Sequence, residues 1–184
     1  MKPTAELSHE HQDILRMIRI LGKMADGLEA GSPVEADDLE RAVEFIRIFA
    51  DKCHHAKEEG HLFPEMERAG IPRDRGPIGV MLAEHVEGRK HVAGMAGAIP
   101  GVRRGSRKAA ETFAAGARGY GGLLAQHIYK EDNILYPMAD ARLSHDQQMS
   151  LEACFAEVEK NIVGEGKHEE FRRLLERLEA RYPS

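Results

Sequence analysis

Apolar residues recur along this chain at the spacing of helices. Leu7, Ile14, Ile18 and Leu21 predict a first helix over residues 4–29, broken by Gly31, Ser32 and Pro33. Leu39, Val43, Ile46, Phe49 and Ala50 predict a second helix over residues 34–66. Gly70, Pro72, Gly76 and Pro77 form the next loop, and a third helix is expected over residues 78–98, ended by Pro100, Gly101 and Gly105. Ser106 reads as the N-cap of a fourth helix reaching residue 141. Two shorter helices follow, over residues 145–162 and 166–181, parted by Gly164 and Gly166. Four long helices with short links predict an all-α, up-down-up-down four-helix bundle over residues 1–141. Residues 142–184 are expected to form a helical extension packed on it.

Composition narrows the function classes. Of 184 residues, 42% are hydrophobic and 31% charged, and β-branched runs are scarce, as a helical fold with one real core requires. A net charge of -5 with no long basic block argues against nucleic-acid partners. No stretch is apolar enough to span a membrane, and residues 1–12 lack the apolar run of a signal peptide. Cys53 and Cys154 read as reduced thiols, so a cytoplasmic location is expected. Ten histidines are many for this length and point to metal.

An internal repeat gives the histidines an order. The stretch from His54 to Pro64 matches that from His127 to Pro137, 73 residues further on. Both read H-x-x-K-E-[ED]-x-x-L-[FY]-P. Upstream, Glu10-His11 matches Glu84-His85. The bundle is thus expected to be a helix pair duplicated about a pseudo-twofold axis. A histidine and a glutamate four residues apart lie one turn apart on one helix face. Two such helices, plus His11 and His85 from the remaining two, bring together His11, His54, Glu58, His85, His127 and Glu131. Four imidazoles and two carboxylates suit iron, manganese or zinc, and two central carboxylates are well placed to bridge a metal pair. Burying both without a cation would be very unfavourable.

The set His11, His54-x-x-x-Glu58, His85, His127-x-x-x-Glu131 resembles the haemerythrin-like family, the HHE cation-binding domain, over about residues 5–140. KEEGHLFP, GPIGVMLAEH and HIYKEDNILYP are similar to phrases in the di-iron domain of bacterial repair-of-iron-centres proteins. The resemblance implies two irons, oxo- or hydroxo-bridged. His11 and His54 would bind one, His85 and His127 the other, and Glu58 and Glu131 would span both. Ferritin-like di-iron proteins place Glu before His at i+3, the reverse of the order here. The resemblance also implies a small ligand: nitric oxide, peroxide or dioxygen. Three readings stay open: a reactive di-iron protein of oxidative or nitrosative stress or iron-centre repair, a reversible oxygen carrier or sensor, and a metal-stabilised structural or interaction module, the first two favoured because oxygen and nitrogen ligands leave positions open on the metal. Oxygen-carrying haemerythrins have a fifth histidine one turn from the ligand of the third helix. Here Met81 and Arg89 hold those positions, which favours two open irons and reactivity.

The neighbouring residues are less telling. His9 and His55 lack counterparts in the repeat and are disfavoured as ligands, and Asp132 yields to Glu131 because Glu58 mirrors Glu131. His61 and Tyr120 share the ligand face by spacing and are candidates for support around the metal, against the plainer reading of ordinary buried residues. His91, His145 and His168 read as surface or capping groups. Leu62-Phe63-Pro64 and Leu135-Tyr136-Pro137 are expected to plug the core and end their helices, because proline stops the hydrogen-bond ladder.

Overall fold

The computed structural model describes residues 1–164 and 166–183, and every regular element among them is helical. Helix α1 spans Pro3–Ala30, α2 residues 36–68, α3 Pro77–Arg103, α4 residues 107–142, α5 residues 145–163 and α6 Lys167–Arg181. Local chemistry sets the boundaries. Gly31, at φ 71°, caps α1 in the left-handed region that favours glycine, and the Ser32 amide returns to the Gly27 carbonyl at 2.8 Å. The Ser106 hydroxyl accepts from the Ala109 amide at the start of α4, as its sequence position predicts. Ser144 and Gln147 form a reciprocal capping box that starts α5.

The prolines do not end the helices. Helix α2 runs past Pro64 to Arg68, α4 past Pro137 to Arg142, and α3 through Pro100 to Arg103. The reason lies one turn upstream of Pro64 and Pro137, where the backbone opens into π-turns over Glu58–Leu62 and Glu131–Leu135. Each proline then falls in the first turn of a new α-helical segment, where its missing N–H costs little. Pro100 merely withholds one donor near the end of α3. Another π-helical stretch, Ile46–His55, leads into the first of these turns.

Helices α1 and α3 each lie along α4, and α2 packs on α3, with reversals at residues 31–35, 69–76 and 104–106. The apolar core is in two parts. The larger contains Ile14, Phe49, Val92 and Leu124, the smaller Leu7, Leu62, Met81 and Leu135. Each of these four helices passes from one cluster to the other, and in each the candidate ligands sit at the crossing. The bundle therefore has a buried polar layer between two apolar ends.

Helix α6 lays Phe171, Leu174, Leu175 and Leu178 into the larger cluster, while α5 gives Leu151 and Phe155 to the smaller. The C-terminal helices pack against α1 and α2 and complete the core on that side. Among the described residues, no helix is long and apolar enough to cross a membrane.

Candidate metal centre

All six residues singled out by the repeat meet in the polar layer, each at 1% exposure or less. The histidines form two pairs. His11 Nε2 lies 3.1 Å from His54 Nε2, and His85 Nε2 lies 3.0 Å from His127 Nε2. Within both pairs the ring centroids are 4.7 Å apart, at tilts of 57° and 59°. Two imidazoles so tilted, with their nitrogens converging, can bind one ion side by side. The carboxylates lie between the pairs. Glu131 approaches His11 at 3.2 Å and His127 at 3.0 Å, one from each pair. Glu58 approaches His85 at 3.5 Å and His54 at 3.8 Å, again one from each.

The donor set fits a cation. Glu58 Oε2 and both Glu131 carboxylate oxygens are buried with no hydrogen-bond partner among the described residues. Orphaned buried carboxylate oxygens are costly unless a positive charge satisfies them. Burial and the facing Glu131 carboxylate push the Glu58 carboxyl well above its usual range. Burial acts on Glu131 too, but His127 and His11 outweigh it and hold that carboxyl well below its usual range. Two adjacent carboxylates pushed in opposite directions are groups that a shared cation would relieve together.

Around the layer every ligand candidate has its outer nitrogen fixed by a carboxylate. The Nδ1–H of His11 donates to Asp132 at 2.9 Å, that of His54 to Glu10 at 2.8 Å, that of His85 to Glu59 at 2.7 Å, and that of His127 to Glu84 at 2.8 Å. This fixes the tautomer and leaves the Nε2 lone pairs facing inward, as metal-binding imidazoles require. Lysines anchor two of these carboxylates, with Lys57 donating to Glu10 at 2.5 Å and Lys130 to Glu84. In the sequence Glu10, Glu59, Glu84, Lys57 and Lys130 stand in the repeat with no role attached, and Asp132 stands only as the rival of Glu131. The signal was present, because Glu10 and Glu84, Glu59 and Asp132, and Lys57 and Lys130 are all matched positions. One partner is not duplicated. Tyr136 donates to Glu58 Oε1 at 2.7 Å, while its counterpart is Phe63, and the sequence offered it only as a core plug.

His61 and Tyr120 bond to none of the six. His61 is half-buried and makes no hydrogen bond among the described residues; the π-turn of Glu58–Leu62 turns it from the face that regular α spacing would give. Tyr120 is buried beside His55, its hydroxyl without a hydrogen-bond partner among the described residues. His55 comes closer than its sequence position suggests, with a ring nitrogen within 4.8 Å of donor atoms of Glu58, His85 and His127. Its ring lies flat on His85, at 3.8 Å between centroids and 18° between planes. Two nearly parallel imidazoles cannot both aim in-plane lone pairs at one ion about 2.1 Å away. His55 is thus a neighbour of the centre rather than a co-ligand in this arrangement. Burial and the adjacent His85 push its pKa down to about 3, which keeps it neutral. His168, read as a surface or capping group, is half-exposed and pairs with Glu159 at 3.4 Å.

A helical bundle enclosing a layer of histidines and carboxylates that could hold metal defines the class of protein. The hemerythrin HHE cation binding domain matches residues 2–139, and the chain belongs to that family. It is also 24% identical, over 160 residues, to uncharacterized proteins of Mycobacterium bovis and of two strains of Mycobacterium tuberculosis. The aligned region is 87% of this chain, and the chain spans 62% of the length of those relatives.

Proposed function

We propose that this chain holds two iron ions, bridged by a solvent-derived oxo or hydroxo group, and reacts with a small molecule: nitric oxide, peroxide or dioxygen. The observation that carries the reading is the placement of Glu58 and Glu131, each buried and each touching one histidine of both pairs. His11 and His54 would serve one ion and His85 and His127 the other, with both glutamates spanning the two. Bound ferrous iron would supply electrons and open coordination positions. The chain's own residues do the rest. Asp132, Glu10, Glu59 and Glu84 orient the imidazoles, and Tyr136 holds one Glu58 oxygen so that the other faces inward.

Reactivity is favoured over reversible carriage because no fifth imidazole is in place. Met81 and Arg89 stand one turn from His85, and His55 is stacked rather than convergent. With two imidazoles and two shared carboxylates, neither ion would be saturated. The test is metal analysis with optical spectra of the reduced protein, before and after dioxygen and nitric oxide. About two irons per chain and irreversible oxidation by air are expected. One tightly bound zinc after growth in ample iron would overturn the di-iron reading. Repeated clean recovery of the deoxy spectrum under vacuum would establish carriage instead.

A further inference from the structure

The two halves of the bundle match at the candidate ligands and their anchors but differ at three positions beside the centre. Ile14 on α1 corresponds to Gly88 on α3, Leu124 on α4 to Asp51 on α2, and Ile128 on α4 to His55 on α2. Ile14, Leu124 and Ile128 are at most 4% exposed and belong to the larger apolar cluster, so these three positions are filled with hydrocarbon. Their counterparts Gly88, Asp51 and His55 line a cavity of about 250 Å³ with Arg89 and Tyr120. Gly88 lines this space, and a Cβ there would already lie in ordinary contact with Leu124, at 3.4 Å, and with the Tyr120 ring, at 3.6 Å, so a larger side chain would crowd the lining.

His55 forms the wall between this cavity and the centre, lying flat against His85. It is loosely held. Its single hydrogen bond, to Asp51, is 3.3 Å long, whereas the four ligand candidates are fixed at 2.7–2.9 Å. Asp51 is also shared with Arg89 at 2.8 Å. The Tyr120 hydroxyl, on a side chain 2% exposed, has no hydrogen-bond partner among the described residues, an unmet need for a buried donor. Arg89 is partly exposed but shares its charge with Asp51 and Glu59, so it is the exposed Arg47 on the lining that favours anions. A second groove, beside Thr4, Ser8, Asp132 and Tyr136, offers nothing comparable. There Thr4 donates to Asp140, Ser8 to Asp132 and Tyr136 to Glu58, so its polar groups are already satisfied.

We propose that this cavity is the binding site for the centre's exogenous ligand, and that it serves only the metal held by His85 and His127. The ligand is a small anion or diatomic molecule of two or three heavy atoms. It coordinates through one end and accepts a hydrogen bond from Tyr120 through the other, with His55 turning aside to admit it. The duplicated site is thereby made one-sided: two similar metal positions, one approach. The inference rests on the di-iron reading above.

The probe is azide, titrated into the iron-loaded ferric protein and followed by its charge-transfer absorption, with iron assayed in every sample. One azide per two irons is expected. Gly88→Val, which fills the cavity, is expected to weaken azide binding at least ten-fold with iron content unchanged. His55→Ala, which opens the wall, should speed azide association several-fold. Ala5→Leu, placed in the second groove, should change neither. Two azides per iron pair, or azide binding indifferent to Gly88→Val and weakened by Ala5→Leu, would overturn the proposal. Should Gly88→Val fail to retain iron, His55→Ala decides, and an unchanged association rate refutes the assignment. A wild-type protein without two irons fails the underlying reading as well. Iron retained, with azide indifferent to both cavity variants, fails this inference alone.

Discussion

Lys57 and Lys130 occupy the same place in the repeat, and each anchors a glutamate that orients a candidate ligand histidine. Their surroundings differ enough to predict very different energetics. The Lys57 side chain is fully buried, with Glu6, Glu10 and Glu159 around it. Burial works against its ammonium, but Glu10 and Glu159 more than offset this and hold its pKa above the usual value. The Lys130 side chain is 31% exposed and its partner Glu84 20%. Lys57→Met keeps most of the stem and removes the charge, leaving Glu10, at 7% exposure, a buried carboxylate without its cation. Stranding a buried charge in this way costs about 3–5 kcal/mol. Glu6 and Glu159, near a third exposed, are hydrated and add little. Lys130→Met breaks a partly solvated pair, worth about 0–1 kcal/mol. For a chain of this size each kcal/mol moves Tm by roughly 2–4 °C, so Lys57→Met should lower it by roughly 6–20 °C and Lys130→Met by at most about 4 °C. Thermal melts and urea titrations of the chelated proteins measure both, with unchanged m-values confirming that stability alone has moved. Equal losses, or a larger loss from Lys130→Met, would refute the reasoning.

Glu58→Ala and Glu131→Ala should each abolish most iron occupancy, while His9→Ala and His55→Ala should retain it; iron assays showing equal losses from all four would contradict the ligand set. Chelation should lower Tm, because metal at about 1,000 times its Kd stabilises the native state by roughly 4 kcal/mol; calorimetry with and without chelator checks this. The His168 imidazole beside it, together with the hydrogen bond and charge of Lys57, outweighs burial and holds the Glu159 pKa at about 2, below its ordinary 4.5. Its stabilisation is therefore present above pH 4.5 and lost as pH falls toward 2. Glu159→Gln should flatten that part of the acid unfolding profile of the chelated protein, and an unchanged profile would refute the assignment. Tyr136→Phe removes a hydrogen bond to a carboxylate worth roughly 1.5–3 kcal/mol, and should shift the optical spectrum while most iron stays bound.

The helices and the six residues at the centre were legible in the sequence for one reason: the bundle is a repeat. Amphipathic spacing places Leu7, Ile14 and Leu21 on one face whatever surrounds them, and a duplicated H-x-x-x-E at a fixed interval marks the faces that meet. The orienting shell was half-legible, because Glu10, Lys57, Glu59 and their mates repeat, but a repeated charge does not say which imidazole it holds. Other features required the third dimension. The π-turns at Glu58–Leu62 and Glu131–Leu135 carry the helices past Pro64 and Pro137 and turn His61 away, and no periodicity of 3.6 contains them. Tyr136 reaches Glu58 across the bundle, where its mate Phe63 offers no hydroxyl. Lys57 is buried and Lys130 is not because α5 brings Glu159 over one half of the duplicated bundle alone. The sequence by itself thus determined the symmetric part of the protein, where like residues in like places do like things. The asymmetry between its two halves was decided by which neighbours cover each copy, and burial is a property of the packed chain rather than of any segment in it.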